Sequence, residues 1–416
     1  MRTNYLLYLL ICMTALSCSS PPEVTLMVQN PLDQKRNDAI ILLSRGEISR
    51  WCTVPDDRLP VLKGPDGTAI PCQADDLDGD GRWDELFGLT DLEASGQQTI
   101  VVKFTEQENY PEFPARTNIH LGDARDHYRN LDKASRLEGV SYQNYEGVTS
   151  ASFQMEGVAW ENDRVGFRNY MDQRNGMDIF GKTTTEMVLY NVGKANGPSY
   201  HEPGAWGQDV LKVGTSLGAG GIGYLYHDSI YRVGDSGSGT FEVVFRGSER
   251  SRFKLDYNGW MVDDQTVHVT HQVEIVAGRR YYQGNVVYDG TDAPLSLVTG
   301  IVNMLSDSLH VVRLNDQYTA LFTLDHQSED GTLLAMALMV PTVHLKSNGE
   351  TRNVGEGVIE TYFAVLDASP GELVPYRFYA LWEREDPRWA SPEEITFFLR
   401  TEAARWTQSV VYIGQF

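Results

Sequence analysis

The sequence predicts a mainly β protein with a C-terminal helix and few other helices. Three observations predict it. Short β-branched or alternating runs recur at 39–43, 99–104, 184–189, 241–245 and 267–275, and again at 295–301, 309–314, 319–324, 333–340 and 358–365. Turn-forming clusters punctuate the chain: Asn175-Gly176, Asp235-Ser236-Gly237, Asp289-Gly290, Asp330-Gly331 and Asn348-Gly349. No strand–helix–strand rhythm appears, which argues against a parallel-sheet fold.

In chain order, residues 1–17 read as a secretory signal. Arg2 is a short positive region, residues 6–11 form an apolar run, and Ala15-Leu16-Ser17 precede Cys18. A small-residue site ending at Cys resembles a bacterial lipobox, with Cys18 lipidated and residues 18–24 as a tether. The apolar run is shorter than the roughly 20 residues of a membrane-spanning helix. With no acidic run after Cys18, the expected place is a lipid anchor in the periplasm or outer membrane, facing the periplasm. Contact with the membrane is expected only through that anchor.

Residues 25–115 read as a small N-terminal β unit. Pro111-Glu112-Phe113-Pro114 reads as a linker, and 116–416 as the main β-sandwich carrying the site. Ser391-Pro392-Glu393-Glu394 opens the helix with an N-cap, a first-turn proline and a capping-box glutamate; Ile395, Phe398, Leu399 and Ala403 follow at helical spacing. Cys52 and Cys72 remain in an oxidising compartment and are expected to pair as a disulfide.

The formal net charge is −22 with 41% hydrophobic residues. That describes a folded chain with no general attraction to nucleic acid. An anionic small substrate stays open, because local arginines decide that. Residues 75–85 alternate carboxylates around a glycine turn, like a calcium loop; Asp76, Asp78 and Asp80 are its candidate ligands for a structural calcium. The twelfth position from Asp76 is Phe87 and not the bidentate glutamate, so the match is partial. An acidic hairpin that binds nothing is the plainer reading.

Residues 156–221 concentrate the chemically capable side chains. His201 follows Tyr200 in a loop rich in proline and glycine, a setting for a base or acid near neutral pH; a lone surface histidine is the alternative. Arg164 and Arg168 suit a carboxylate clamp. Salt bridging to Glu161, Asp163, Asp172 and Asp178 is the alternative for them. Lys212 is a further cation, and Trp160 and Trp206 offer flat faces for sugar rings or, more plainly, core packing.

The blocks at 73–86, 160–182 and 206–221 (QADDLDGDGRWDEL, WENDRVGFRNYMDQRNGMDIFGK and WGQDVLKVGTSLGAGG) resemble the domain-of-unknown-function 4861 family of Bacteroidetes lipoproteins over most of the chain. The resemblance implies a large antiparallel β-sandwich of mutarotase-like type. It also implies an oligosaccharide dehydratase that needs no cofactor. Such an enzyme removes water from the non-reducing-end uronic acid of an ulvan-type anionic oligosaccharide, leaving a 4,5-unsaturated uronate. It implies no residue roles. Among the residues at hand, Arg164 and Arg168 would neutralise the carboxylate, with Lys212 as substitute. His201 would take the C5 proton, and Tyr200 or Tyr170 would protonate the leaving hydroxyl. A polysaccharide lyase or uronate epimerase shares the proton abstraction, and a non-catalytic glycan-binding lipoprotein would use the same aromatics.

Overall fold

The structure is a computed structural model that describes residues 22–415 except 136–141, 144–148, 173, 196, 235–236, 263 and 356. The signal segment, Cys18 and two residues of one expected turn, Asp235 and Ser236, lie outside the described residues.

The main body is an antiparallel sandwich. One layer is a nine-stranded sheet in the order Lys133–Ser135, Ser238–Arg246, Arg250–Val262, Gln265–Val276, Tyr281–Asp289, Val374–Trp382, Leu334–Pro341, Tyr318–Asp325 and His310–Arg313. Alternation builds it: Val267, Val269, Val273 and Ile275 point one way along a single strand and are buried. Two five-stranded sheets cover that face. One is Ser229–Arg232, Ala219–Tyr226, Leu295–Val302, Thr361–Ala368 and Leu345–Glu350. The other contains β1 (Thr117–His120), β2 (Gly157–Asn162), β3 (Val165–Tyr170), β4 (Met177–Lys182) and β5 (Gly207–Asp209), in the spatial order β5-β4-β3-β2-β1. The three sheets share one apolar core.

The other face of the nine-stranded sheet is covered by the helix Pro392–Thr407, whose Ile395, Leu399 and Ala403 pack on Ala337, Met339 and Tyr379. Ser391 caps it, its hydroxyl accepting the Glu394 N–H at 3.3 Å. The expected run 184–189 is not a strand. It lies in a loop with a single turn of 3₁₀ helix, Leu189–Asn191, because its apolar residues cover the outer face of β2–β5 instead of joining a ladder.

The N-terminal unit packs a four-stranded sheet (Leu59–Lys63, Gln97–Thr105, Val24–Gln29, Val411–Gln415) with a three-stranded one (Arg36–Ser44, Glu85–Leu92, Cys72–Asp75) around its own core. The last strand of the chain therefore belongs to this unit and not to the sandwich, pairing antiparallel with Val24–Gln29. Arg116, just past the linker, ties the two bodies together: it donates to Asp38 of the first and to Asp163 and Glu249 of the second.

The expected disulfide is absent: Cys52 and Cys72 are both free thiols. Cys72 lies on a strand with its Sγ turned into the core, accepting the Leu62 N–H at 3.3 Å and lying 3.6 Å from the Tyr110 hydroxyl. Cys52 sits at the rim of that core. Burial pushes the Cys72 thiol up to about 11, so it stays neutral and unreactive. Alkylation of the unreduced protein is expected to label Cys52 natively and both thiols only after denaturation. A tryptic peptide linking Cys52 to Cys72 in the mass spectrum would contradict this.

Candidate functional site

The site is built on the outer face of β2–β5. A sheet with one face on the core would ordinarily show water its other face, but every residue of β2, β3, β4 and β5 is buried. The cover is the chain 183–206, which lays Leu189, Val192, Tyr200 and Trp206 over Ala159 and Phe180. Its first half is fixed by a buried ion pair. Lys182 Nζ donates to Glu161 at 2.6 Å, and Glu161 also accepts the backbone N–H groups of Val188 and Leu189 at 2.8 and 2.7 Å. The return into β5 requires glycine: Gly207 has φ +130°, and a Cβ there would lie 1.8 Å from the Gly181 carbonyl oxygen.

Beside this pair lies the cluster that draws most of the candidate residues together. Cross-strand register sets Arg168 of β3 opposite Asp178 of β4, and Phe180 opposite Asp209 of β5. The Arg168 guanidinium, 1% exposed, donates to Asp178, to Asp209 at 3.0 Å, to the Tyr170 hydroxyl at 2.6 Å, to the Tyr200 hydroxyl at 3.3 Å and to the Met155 carbonyl at 3.0 Å. Tyr170 in turn donates to Asp178 at 2.8 Å. His201 stands over this buried set. Its ring lies 4.3 Å from that of Tyr200 and its Nδ1 3.5 Å from Asp209 Oδ2, with the side chain 59% exposed. Trp206 packs on Phe180, centroids 6.2 Å apart, on the same covering loop.

The structure thus gathers Arg168, Tyr170, Tyr200 and His201, with Trp206 adjacent, and adds Asp209, which the sequence reading gave no role. Other expected assignments change. Arg168 is no carboxylate clamp: its two terminal nitrogens are bonded to two aspartates, two tyrosines and the Met155 carbonyl, and the buried group is out of reach of a substrate in solvent. Arg164 sits in the β2–β3 turn, 3.9 Å from Glu385; four strand residues at about 3.3 Å each separate it from Arg168 by roughly 13 Å. Lys212 is exposed beyond β5 beside Met304 and Leu305 and makes none of the cluster's contacts. Trp160 is a core residue, 1% exposed, against Phe167, Phe253 and Tyr282. Its strand position puts it on the core face, opposite to Ala159 and Glu161.

In the acidic hairpin, Asp76, Asp78 and Asp84 bring ligand oxygens within 4.8 Å of one another. Asp80 is not of that group; its carboxylate accepts the Arg82 N–H at 2.8 Å. Asp84 could have been found from the sequence, standing at the ninth position of the loop. Asp209 could not, since only the loop's return into β5 brings it under His201.

Two carboxylates meet one guanidinium in a place with little water. Burial first, and then repulsion from Asp178, raise Asp209 well above the ordinary carboxylate range, against the pull of Arg168. Asp209 therefore holds its proton to higher pH than an ordinary carboxyl does. Burial, with Asp178 next, also raises the Tyr170 hydroxyl, which stays protonated. The folded chain holds the Asp209 proton more tightly than the unfolded chain does. Its contribution to stability is complete below the usual carboxylate range and is lost as pH rises through the folded value. Asp209→Asn, which mimics the protonated form, is expected to change stability at pH 5 by no more than about 1 kcal/mol. It should flatten the decline toward alkaline pH in denaturation curves; an unchanged slope would mean Asp209 is ionised in the native state.

Among solved structures, the chain is similar to an alpha-mannosidase from Enterococcus faecalis V583, at 8% identity and TM-score 0.41, over 95% of this chain and 46% of that one. It is also similar to a protein in the glycosyl hydrolase family 38 from Enterococcus faecalis, at 8% identity and TM-score 0.40, over 94% of this chain and 47% of the other. The chain spans less than half the length of either. No curated protein matches it. The match that identifies it covers residues 28–411, nearly all of the sandwich and the N-terminal unit: the chain belongs to the domain-of-unknown-function family DUF4861.

Proposed function

We propose that the chain is a carbon–oxygen lyase acting on an anionic oligosaccharide, dehydrating its non-reducing-end uronic acid to a 4,5-unsaturated uronate. The observation that supports this is the contact set of His201, Tyr200 and Asp209, in which the one strongly exposed group is an imidazole and the group beneath it is a carboxyl raised by burial. Such a pairing of titratable groups with different environments suits proton abstraction and return. His201 takes the C5 proton. The electron pair forms the C4–C5 double bond, the C4–oxygen bond breaks, and the departing hydroxide leaves as water with a proton from Tyr200. Tyr170 holds Asp178 and Arg168 in place behind them.

The substrate carboxylate needs a cation other than Arg168. Arg174, 38% exposed and stacked 3.7 Å from the Tyr170 ring, is the guanidinium available there, once it exchanges one of its bonds to Asp172 or Glu156. The step uses no organic cofactor. In this reading Cys18 carries the lipid that holds the enzyme at the membrane facing the periplasm.

His201→Ala is expected to lower formation of the ultraviolet-absorbing product by at least about 10²-fold. The fold should be retained, because the side chain is largely in solvent. The product mass should be one water less than the substrate at unchanged chain length. Undiminished turnover removes His201 as the base, a split chain means a lyase, and binding without any product means a glycan-binding protein.

For Asp76, Asp78 and Asp84 we propose a structural calcium ion, whose hard charge would be matched by their carboxylate oxygens. Calcium added to chelator-treated protein should raise the melting temperature and leave turnover unchanged; a melting temperature indifferent to calcium would remove the ion from this loop.

A further inference from the structure

Away from His201, a cavity of about 290 Å³ opens where the N-terminal unit, the nine-stranded sheet and the C-terminal helix meet. Its walls carry four guanidinium groups, Arg36, Arg279, Arg377 and Arg405, against one carboxylate, Glu402. In a chain of net charge −22 this is a local reversal of sign. The arginines come from separate elements. Arg36 opens the strand Arg36–Ser44, Arg279 follows Gln265–Val276, Arg377 lies on Val374–Trp382, and Arg405 lies in the last turn of the helix.

Part of this charge has structural work. Arg36 donates to the Gln408 carbonyl, and Arg279 to that of Asp38. Arg377 donates to Gln283 at 3.1 Å and stacks 3.9 Å from Trp406. Arg405 donates to Glu402 at 2.7 Å and to the Lys35 carbonyl at 3.2 Å. These bonds do not exhaust them, since each guanidinium carries five N–H donors. Arg36 is 5% exposed, and its Nε has no hydrogen-bond partner among the described residues; the Nε of Arg405 has none either. Unpaired buried donors on like-charged groups are costly. Burial, with Arg405 and Arg279 beside it, pulls Arg36 down to about 10, with only Glu402 opposing. An anion in the cavity would answer both the charge and the open donors.

We propose that this cavity is an oxyanion-binding site, separate from the His201 cluster, that takes the sulfate, phosphate or carboxylate group of a small ligand between Arg36 and Arg405. Arg279 and Arg377 add positive field from the floor. The volume, close to the lower end of the roughly 300–1,000 Å³ typical of ligand pockets, admits one ligand of about monosaccharide size. The site stands whether or not His201 is a catalytic base.

The test is calorimetric titration of the full chain with sodium sulfate, sodium phosphate and sodium glucuronate, ionic strength being held constant with sodium chloride. Saturable heats distinguish binding from the general stabilisation that sulfate gives by exclusion. At least one oxyanion should saturate at a single site. Sulfate and phosphate without glucuronate would mean a tetrahedral group, and glucuronate alone a carboxylate. Arg36→Gln and Arg405→Gln should each weaken that binding by about tenfold or more, and Arg313→Gln, on an exposed strand elsewhere, should leave it unchanged. If Arg36→Gln does not fold, Arg405→Gln decides, its side chain being 25% exposed on the helix. No saturable heat with any of the three, or unchanged affinity in Arg405→Gln, overturns the proposal.

Discussion

A guanidinium shut away from water fixes the geometry of the candidate site. Arg168 has no solvent to satisfy it, so β4, β5, the covering loop and the turn at Met155 must each bring it an oxygen. Those demands come from four places in the chain, and they are met together only when the sheet register, the loop and the glycine return at Gly207 are all in place. Removing one partner would leave a charge stranded in a low dielectric, where breaking a pair costs about 3–5 kcal/mol. The Glu161–Lys182 pair applies the same constraint one strand away and pins the first half of the loop to the same face.

The consequence for chemistry is a division of labour by depth. Deep in the sheet, one cation faces two carboxylates, and burial together with Asp178 raises Asp209 well above the ordinary carboxylate range. At the surface, His201 remains open to water, its Nδ1 3.5 Å from the Asp209 carboxyl. The sheet itself is rigid because its other face belongs to the common core, where Phe167 and Ile179 alternate with Arg168 and Asp178 along the same two strands. Side chains anchored in this way hold position better than groups on a free loop.

Arginine has different uses across the molecule, and only surroundings tell them apart. Arg116 joins the two bodies through three carboxylates, and Arg168 organises a sheet face. In the cavity beside Arg36, four guanidiniums line the walls with one carboxylate, Glu402, and the local charge is positive. Sequence proximity misleads here. Arg164 and Arg168 are four residues apart, yet one lies in the turn before β3 and the other is sealed within it, whereas Arg36 and Arg405 meet from opposite ends of the chain.

Local signals carried much of the architecture. Alternating apolar residues made strands such as Gln265–Val276 legible, because period-two burial is a property of the strand itself. Ser391 and Pro392 marked the helix start, because capping is settled within one turn. The same logic failed at 184–189, whose apolar residues were destined for a covering loop, and at Cys52 and Cys72, where spacing says nothing of which way a thiol points. The concentration of Tyr170, Tyr200, His201 and Arg168 in one stretch was visible in the chain. That Arg168 is sealed, that Trp160 faces the core and that Asp209 lies under His201 was decided only by tertiary structure. Burial, register and the return of a loop are relations between distant segments, and they alone determine whether a polar side chain meets a substrate or another side chain.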